Sequence, residues 1–492
     1  MKIELVSRLP ADAPVVVVAA HEGRRLTPSA TALDRQLGGR IRKAMAGGRF
    51  TGAAGNSLDI VAPAGFGGHR VILVGLGKPG ALTPLAAQDV GGRIEMLLAG
   101  MGEAEAAVAL DLAGELPAHI AFGALLAGQR FMKLRTRPQP GDPKPVRRLL
   151  IVSKGANAKR LLDRLEGLAG AVGTARTLVN EPANLLGPED FVRRARALSK
   201  LGVKVEVMDE PKLRRLGMGA LLAVGQGSER RPRVLVLRWK GRGAKKGRAP
   251  IAFVGKGVVF DAGGLDIKKA DGMEAMKADM AGAAAVVGVI QALAARKAPI
   301  EAVGVCALVE NLPSNMSYRP GDILKTMSGQ TIEVIDTDAE GRLILSDALY
   351  YTVNRFKPRA VMDLATLTYA VGAALGLHHA GVLSNNDALV KRLIAAGEKT
   401  GEKLWRLPIG PEYDANLESG IADLRQVASN DETADAIHGA QLLQHFVGDT
   451  PWAHLDIAYT GMFALKEKPT QPKGATGFGV RLLDALAEGY EG

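Results

Sequence analysis

The chain has 492 residues, 47% of them hydrophobic, and a mean hydropathy of +0.07; that is enough apolar material for two or three packed domains and excludes a disordered chain. The single cysteine, Cys306, excludes an internal disulfide framework and a cysteine-based zinc site, in keeping with a reducing compartment. Lys and Arg outnumber Asp and Glu by 63 − 51 = 12, a basic balance that leaves contact with nucleic acid open.

The apolar run at 15–20 is too short for a secretory leader and sits behind Glu4, Arg8 and Asp12, so it reads as a strand. The long apolar stretch at 281–295 falls short of a membrane span and reads as a buried helix. A soluble, cytoplasmic protein with no membrane partner is therefore expected. In the first third, strands are expected at 13–20, 70–77, 105–110 and 148–154, with helices around 84–100 and 116–133. A segment rich in Pro and charge, 137–148, precedes the last of those strands.

A helix over 156–179 then links to a larger second unit. Strands are expected there at 203–209, 233–239, 250–255, 300–309, 331–336 and 360–368, separated by helices near 279–297, 341–356 and 387–400. The fold class is α/β. A smaller N-terminal domain (1–155) is joined by the 156–179 helix to a larger C-terminal catalytic domain (180–492) with a mixed, mainly parallel sheet.

The basic runs at 24–29, 35–43, 144–148 and 240–248 read as solvated loops, since no zinc finger, RNP motif or basic zipper accompanies them. They motivate an alternative reading, a nucleic-acid-binding or scaffolding assembly. The G-x-G-x-x-G pattern in VGLGKPG (74–80) is a strand-exit loop, because a helix cannot start among its glycines before Pro84.

Chemistry concentrates in two stretches. In VGKGVVFDAGGLDIKKADGMEAMKADMAG (254–282), Lys256 is expected just past a strand end, where open α/β sheets place ligands. Asp261 precedes the Gly263-Gly264 pair, followed by Lys268 and by Asp279 at a helix start. In TIEVIDTDAEGRLILSD (331–347), Asp338, Glu340 and Arg342 alternate, which in an extended segment aims them to one side. Asp261, Asp279, Asp338 and Glu340 together carry −4, the charge two divalent cations balance, and a neutral Lys256 would add a nitrogen donor. No H-E-x-x-H or G-x-S-x-G is present. A two-metal phosphatase would call for more histidines; His378-His379 reads as packing or surface, and His454 and Cys306 read as core.

These residues resemble a known family. DTDAEGRL (336–343) matches the NTDAEGRL signature of the leucyl aminopeptidases, or cytosol aminopeptidases, and VGKGVVFDAGG (254–264) matches their upstream motif. Similar stretches are LVNEPAN (178–184), DLATLT (363–368), WRLP (405–408), IADLRQV (421–427), PWAHLDIA (451–458) and, more weakly, VILVGLGK (71–78).

The resemblance implies an exopeptidase that takes peptides with a free N-terminus and assembles as a homohexamer. It implies one metal on Asp261, Asp338 and Glu340, and a second on Lys256, Asp261, Asp279 and Glu340. Zn²⁺ and Mn²⁺ are the expected ions, with Mg²⁺ and Co²⁺ also permitted by the oxygen-rich ligand set. Lys268 would stabilise the oxyanion, and Arg342 would hold a bicarbonate that shuttles the proton. Met276, Thr366, Leu367 and Ala458 would line the substrate pocket.

The chain departs from the family pattern at Asp336 (usually Asn), Ala262 and Asp266 (Ser) and Lys269 (Pro). Asp336 and Asp266 are expected to add negative charge beside the metals. Tyr369 and Tyr459 stand where glycine is usual, so a narrowed pocket for the first residue is expected. The 428–440 stretch also lacks the usual double glycine.

Overall fold

The computed structural model describes residues 1–245, 247–428, 434–464 and 468–491. It divides into two compact units: Met1–Ala169 with a short return segment that includes 468–473, and the chain from Gly170 onward apart from that segment. The helix Ala156–Asn180 runs from the first into the second.

The first unit is built on a sheet in the order Lys2–Val6, Arg148–Val152, Glu105–Ala109, Val15–His21, Arg70–Gly75, Ser57–Val61. The first five run parallel, and Ser57–Val61 closes the edge antiparallel. Val15 through Ala20 are all buried, as expected of a central parallel strand covered on both faces. The sequence reading missed the two edge strands, whose alternating or polar composition gives no continuous apolar run. The helices Pro84–Met101 and Leu116–Ala127 stand where they were expected, the second ending six residues early.

The second unit holds a mixed sheet in the order Leu404–Arg406, Ala380–Ser384, Trp452–Asp456, Ala360–Ala365, Ile251–Asp261, Glu301–Asn311, Arg233–Lys240, Lys204–Met208. Its four central strands are parallel, and antiparallel pairings begin at Arg233–Lys240 and at Ala380–Ser384. The α/β class with a mainly parallel catalytic sheet thus matches the expectation.

Two local differences matter for the site. The strand expected at 250–255 runs on to Asp261, so Lys256 sits within it rather than beyond its end. Its pairing with Glu301–Asn311 shifts register between Val258 and Phe260. Side chains alternate along a strand, so positions 256 and 261, five apart, would face opposite ways; one extra residue in a bulge restores the same side. Second, the strand after Gln330 covers only Thr331–Glu333, and Glu340 opens the helix Glu340–Phe356. Glu340 and Arg342 are therefore helical, and the extended alternation expected for them does not occur. Charge at a helix start, where the dipole favours a carboxylate, takes its place.

The helix Ala281–Ala295 is buried on nearly all sides, and its start lies directly on the sheet. A Cβ on Gly282 would fall 2.0 Å from the Leu364 carbonyl oxygen and 3.1 Å from the Lys256 nitrogen. A Cβ on Gly255 would fall 2.5 Å from Ala283 Cα. This backbone-to-backbone approach brings Asp279 next to Lys256. Gly282→Val must push helix and strand apart, a strain of roughly 1–3 kcal/mol or more. We expect a thermal unfolding midpoint several degrees lower; an unchanged midpoint would contradict the packing.

Candidate metal centre

The acidic residues converge at the carboxyl end of the central strands. Asp261, Asp338 and Glu340 each offer an oxygen within 4.8 Å of the others. Lys256 Nζ lies 2.8 Å from both Asp279 Oδ1 and Glu340 Oε1 and donates to the Thr366 carbonyl at 2.8 Å. Lys268 Nζ lies 2.8 Å from Asp261 Oδ2 and also meets Asp338. Lys256, Asp261, Asp279 and Glu340 are buried.

Neutral neighbours aim the acids. Asp261 Oδ1 accepts from the Gly263 amide at 3.0 Å and from Asn311 Nδ2 at 2.8 Å. Asn311 Nδ2 also donates to the Thr337 carbonyl at 2.9 Å, tying the end of one strand to the 336–340 turn. Gly263 and Gly264 adopt φ +92° and +66°, and a Cβ on Gly264 would meet Thr337 Oγ1 at 2.8 Å. Only glycine fits that crossing. Thr366 Oγ1 donates to Asp279 Oδ1 at 2.7 Å, so this residue, expected in the substrate pocket, directs its hydroxyl at an acid.

Four carboxylates and two lysines leave a formal −2 in low-dielectric surroundings. Burial, then Asp261 and Glu340, push Asp338 up to about 7. Burial also raises Asp279 and Glu340. For Lys256, burial works against the charged amine, but Asp279, Glu340 and Asp261 outweigh it and raise its pKa. The sequence reading needed a neutral amine here; beside these acids the charged form is favoured. Cations would reverse that balance, because positive charge beside an amine favours losing the proton.

The donor set fits divalent cations. Asp279 Oδ2 and Glu340 Oε2 are buried without a hydrogen-bond partner among the described residues, and buried carboxylate oxygens demand a partner. Hard oxygen donors at this density suit Mg²⁺, Mn²⁺, Co²⁺ or Zn²⁺.

A cavity of about 460 Å³ opens onto the acids, and Met276, Leu367, Ala458, Tyr369 and Tyr459 form part of its wall. Tyr369 is 60% exposed and Tyr459 38% exposed. Lys268 Nζ donates to the Tyr369 hydroxyl at 3.2 Å and lies 5.3 Å from its ring centre. The Tyr459 ring covers Gly372, where a Cβ would fall 2.2 Å from Cε2.

Arg342 is 2% exposed, and its Nη1 and Nη2 donate to the Gln426 carbonyl at 2.6 Å and to Asp435 Oδ1 at 2.7 Å. The position expected to hold bicarbonate thus already faces a carboxylate of the chain. Asp266, expected to add charge near the metals, instead accepts from the Thr337 amide at 2.7 Å and braces the turn. Asp336 lines the cavity and accepts from the Asp338 amide at 2.8 Å.

Sequence reasoning missed Asn311, which ends an apolar strand, and Asp435, which lies inside the stretch noted only for its lost glycines. Of that 428–440 stretch, 429–433 lie outside the described residues. His454 is core as expected, with Nδ1 2.6 Å from Asp363 Oδ1, and Cys306 is buried in its strand.

Residues 173–484 match the model of the cytosol aminopeptidase family's catalytic domain, and 16–138 match that of its N-terminal domain. A probable cytosol aminopeptidase of Caulobacter vibrioides is 48% identical over 97% of each chain. One from a Chelativorans species is 47% identical over 97% of this chain and 96% of its own. Among solved structures, a tomato leucine aminopeptidase mutant superposes with TM-score 0.85 at 32% identity, covering 98% of this chain and 95% of that one. The bottromycin maturation enzyme BotP in complex with Mn gives TM-score 0.84 at 31% identity, covering 98% and 100%. A fold and a sequence that match along nearly the whole length lead to one conclusion: the chain belongs to the cytosol aminopeptidase family and is a leucyl aminopeptidase-like hydrolase.

Proposed function

We propose that the protein is a dinuclear metallo-aminopeptidase that removes the first residue of peptides with a free N-terminus. The observation that carries this reading is the convergence of Asp261, Asp338 and Glu340 with the Lys256–Asp279 pair on one cavity. One cation would be held by Asp261, Asp338 and Glu340. The other would be held by Lys256, Asp261, Asp279 and Glu340, with Lys256 giving up its proton. When bound, such a pair supplies an activated water and Lewis-acid polarisation of the scissile carbonyl.

The chain's own groups do the rest. Lys268 pairs with Asp261 and Asp338. With those acids engaged by cations, its ammonium is available to the oxyanion that develops during attack. Tyr369 and Tyr459 narrow the mouth of the cavity where glycine would leave it open, so side chains smaller than leucine are favoured at the first position. Thr366 and Asn311 hold acids in place without taking part in bond making. The same reading includes a cytoplasmic location and assembly as a homohexamer, which sedimentation of the purified protein tests.

Three outcomes follow from it. Glu340→Ala and Asp338→Ala lose bound metal, read by elemental analysis of the purified protein, together with hydrolysis of aminoacyl-amides; turnover retained in either variant overturns the reading. Lys268→Ala keeps its metal while kcat falls about 100-fold or more, the usual cost of removing an oxyanion donor. Across a panel of aminoacyl-amides the wild type prefers alanine or glycine to leucine, and Tyr369→Gly with Tyr459→Gly shifts the preference towards leucine. Full wild-type activity on leucine with no bias towards smaller residues would contradict the pocket argument.

A further inference from the structure

Peptide hydrolysis has to move a proton. As the water oxygen bonds to the carbonyl carbon it releases a proton, and the leaving nitrogen needs one as the C–N bond breaks. The cavity wall offers few groups free to carry it. Asp261, Asp279 and Asp338 are committed to cations in the reading above, on which this argument rests. Asp336 is turned to the Asp338 amide. Arginine does not give up its proton, and a tyrosine hydroxyl is a poor base near neutral pH. Asp435 is left.

Its setting suits the task. Asp435 opens the helix Asp435–Gln444 and lines the same cavity as Asp338 and Asp261. Its side chain is 41% exposed, while its partner Arg342 is 2% exposed. Arg342 is fixed from behind by the Gln426 carbonyl at 2.6 Å and holds Asp435 Oδ1 at 2.7 Å. Oδ2 takes no hydrogen bond from any other described residue. A buried arginine thus presents a carboxylate with one oxygen anchored and the other left loose in a cavity that Asp261 and Asp338 also line.

We propose that Asp435, held by Arg342, is the catalytic proton carrier of this site. Its carboxylate takes the proton from the attacking water and returns it to the leaving amine, ending unchanged, so the overall reaction remains peptide plus water giving amino acid plus shortened peptide. Because the carrier is part of the chain, no small oxyanion from solution is needed on Arg342.

The test uses the metal-loaded full-length protein. Asp435→Ala removes the carboxylate, and Asp435→Asn keeps its shape and its bond from Arg342 but cannot carry the proton; metal content of both is checked against wild type. We expect kcat to fall about 100-fold or more in both, with KM within about threefold of wild type. Formate or bicarbonate restores turnover in Asp435→Ala, saturably, but not in Asp435→Asn, whose amide still occupies the guanidinium. Calorimetry shows formate binding to Asp435→Ala and none to wild type.

Asp435→Asn retaining more than a third of wild-type kcat overturns the proposal, as does wild-type turnover that rises with added bicarbonate. Should Asp435→Ala fail to fold, the Asparagine variant and the bicarbonate response of wild type still decide it. Wild type inactive on every aminoacyl-amide sinks the aminopeptidase reading itself; active wild type with active Asp435→Asn sinks only the carrier.

Discussion

Mutual repulsion among buried carboxylates is the constraint around which the catalytic unit is arranged. Two unit charges 4 Å apart interact by about 4 kcal/mol at an effective dielectric constant near 20, and here Asp261, Asp338 and Glu340 crowd within 4.8 Å while Asp279 shares Lys256 with Glu340. A chain free to relax would scatter them. They stay because each is fixed by backbone that has other reasons to be where it is: a central strand, a glycine-lined turn and two helix starts packed on the sheet. The fold holds the acids in a high-energy arrangement, and positive charge relieves it.

The supporting interactions are neutral for the same reason. Asn311 and Thr366 donate single hydrogen bonds to Asp261 and Asp279, which aim an oxygen without cancelling its charge. Lysines cancel charge, and both lysines of the site lie 2.8 Å from acids. Buried ion pairs are weak evidence for stability, since desolvation offsets much of the Coulomb gain. Here they offset part of the repulsion among the acids.

Bulky and charged side chains at the rim of the cavity leave the cluster of acids untouched. Tyr369, Tyr459 and Asp435 all project from short helices or helix starts beside the pocket. Rim positions answer to the shape and charge of what enters, and a bulky ring or a carboxylate there leaves the acidic centre intact. Asp266 and Asp336 show the complementary case: both add formal charge near the centre, and each spends it on a backbone amide of the 336–340 turn.

The sequence by itself determined the class of fold, most of the buried parallel strands and the set of acids, because continuous apolar runs mark buried parallel strands and because four carboxylates with one lysine among such runs have few uses besides binding cations. The edge strands Lys2–Val6 and Ser57–Val61 escaped it, since half-exposed strands carry no such run, and so did the buried Ala380–Ser384 and Trp452–Asp456, whose apolar runs are short or broken by a histidine. What only the tertiary structure decided was direction and partnership. Lys256 and Asp261 face the same way through a register shift that no residue type announces, Glu340 and Arg342 converge from a helix rather than a strand, and Asp435 meets Arg342 across 93 positions of chain. Contacts between residues far apart in sequence are made by packing, and packing is a property of the whole sheet and its helices rather than of any stretch within it.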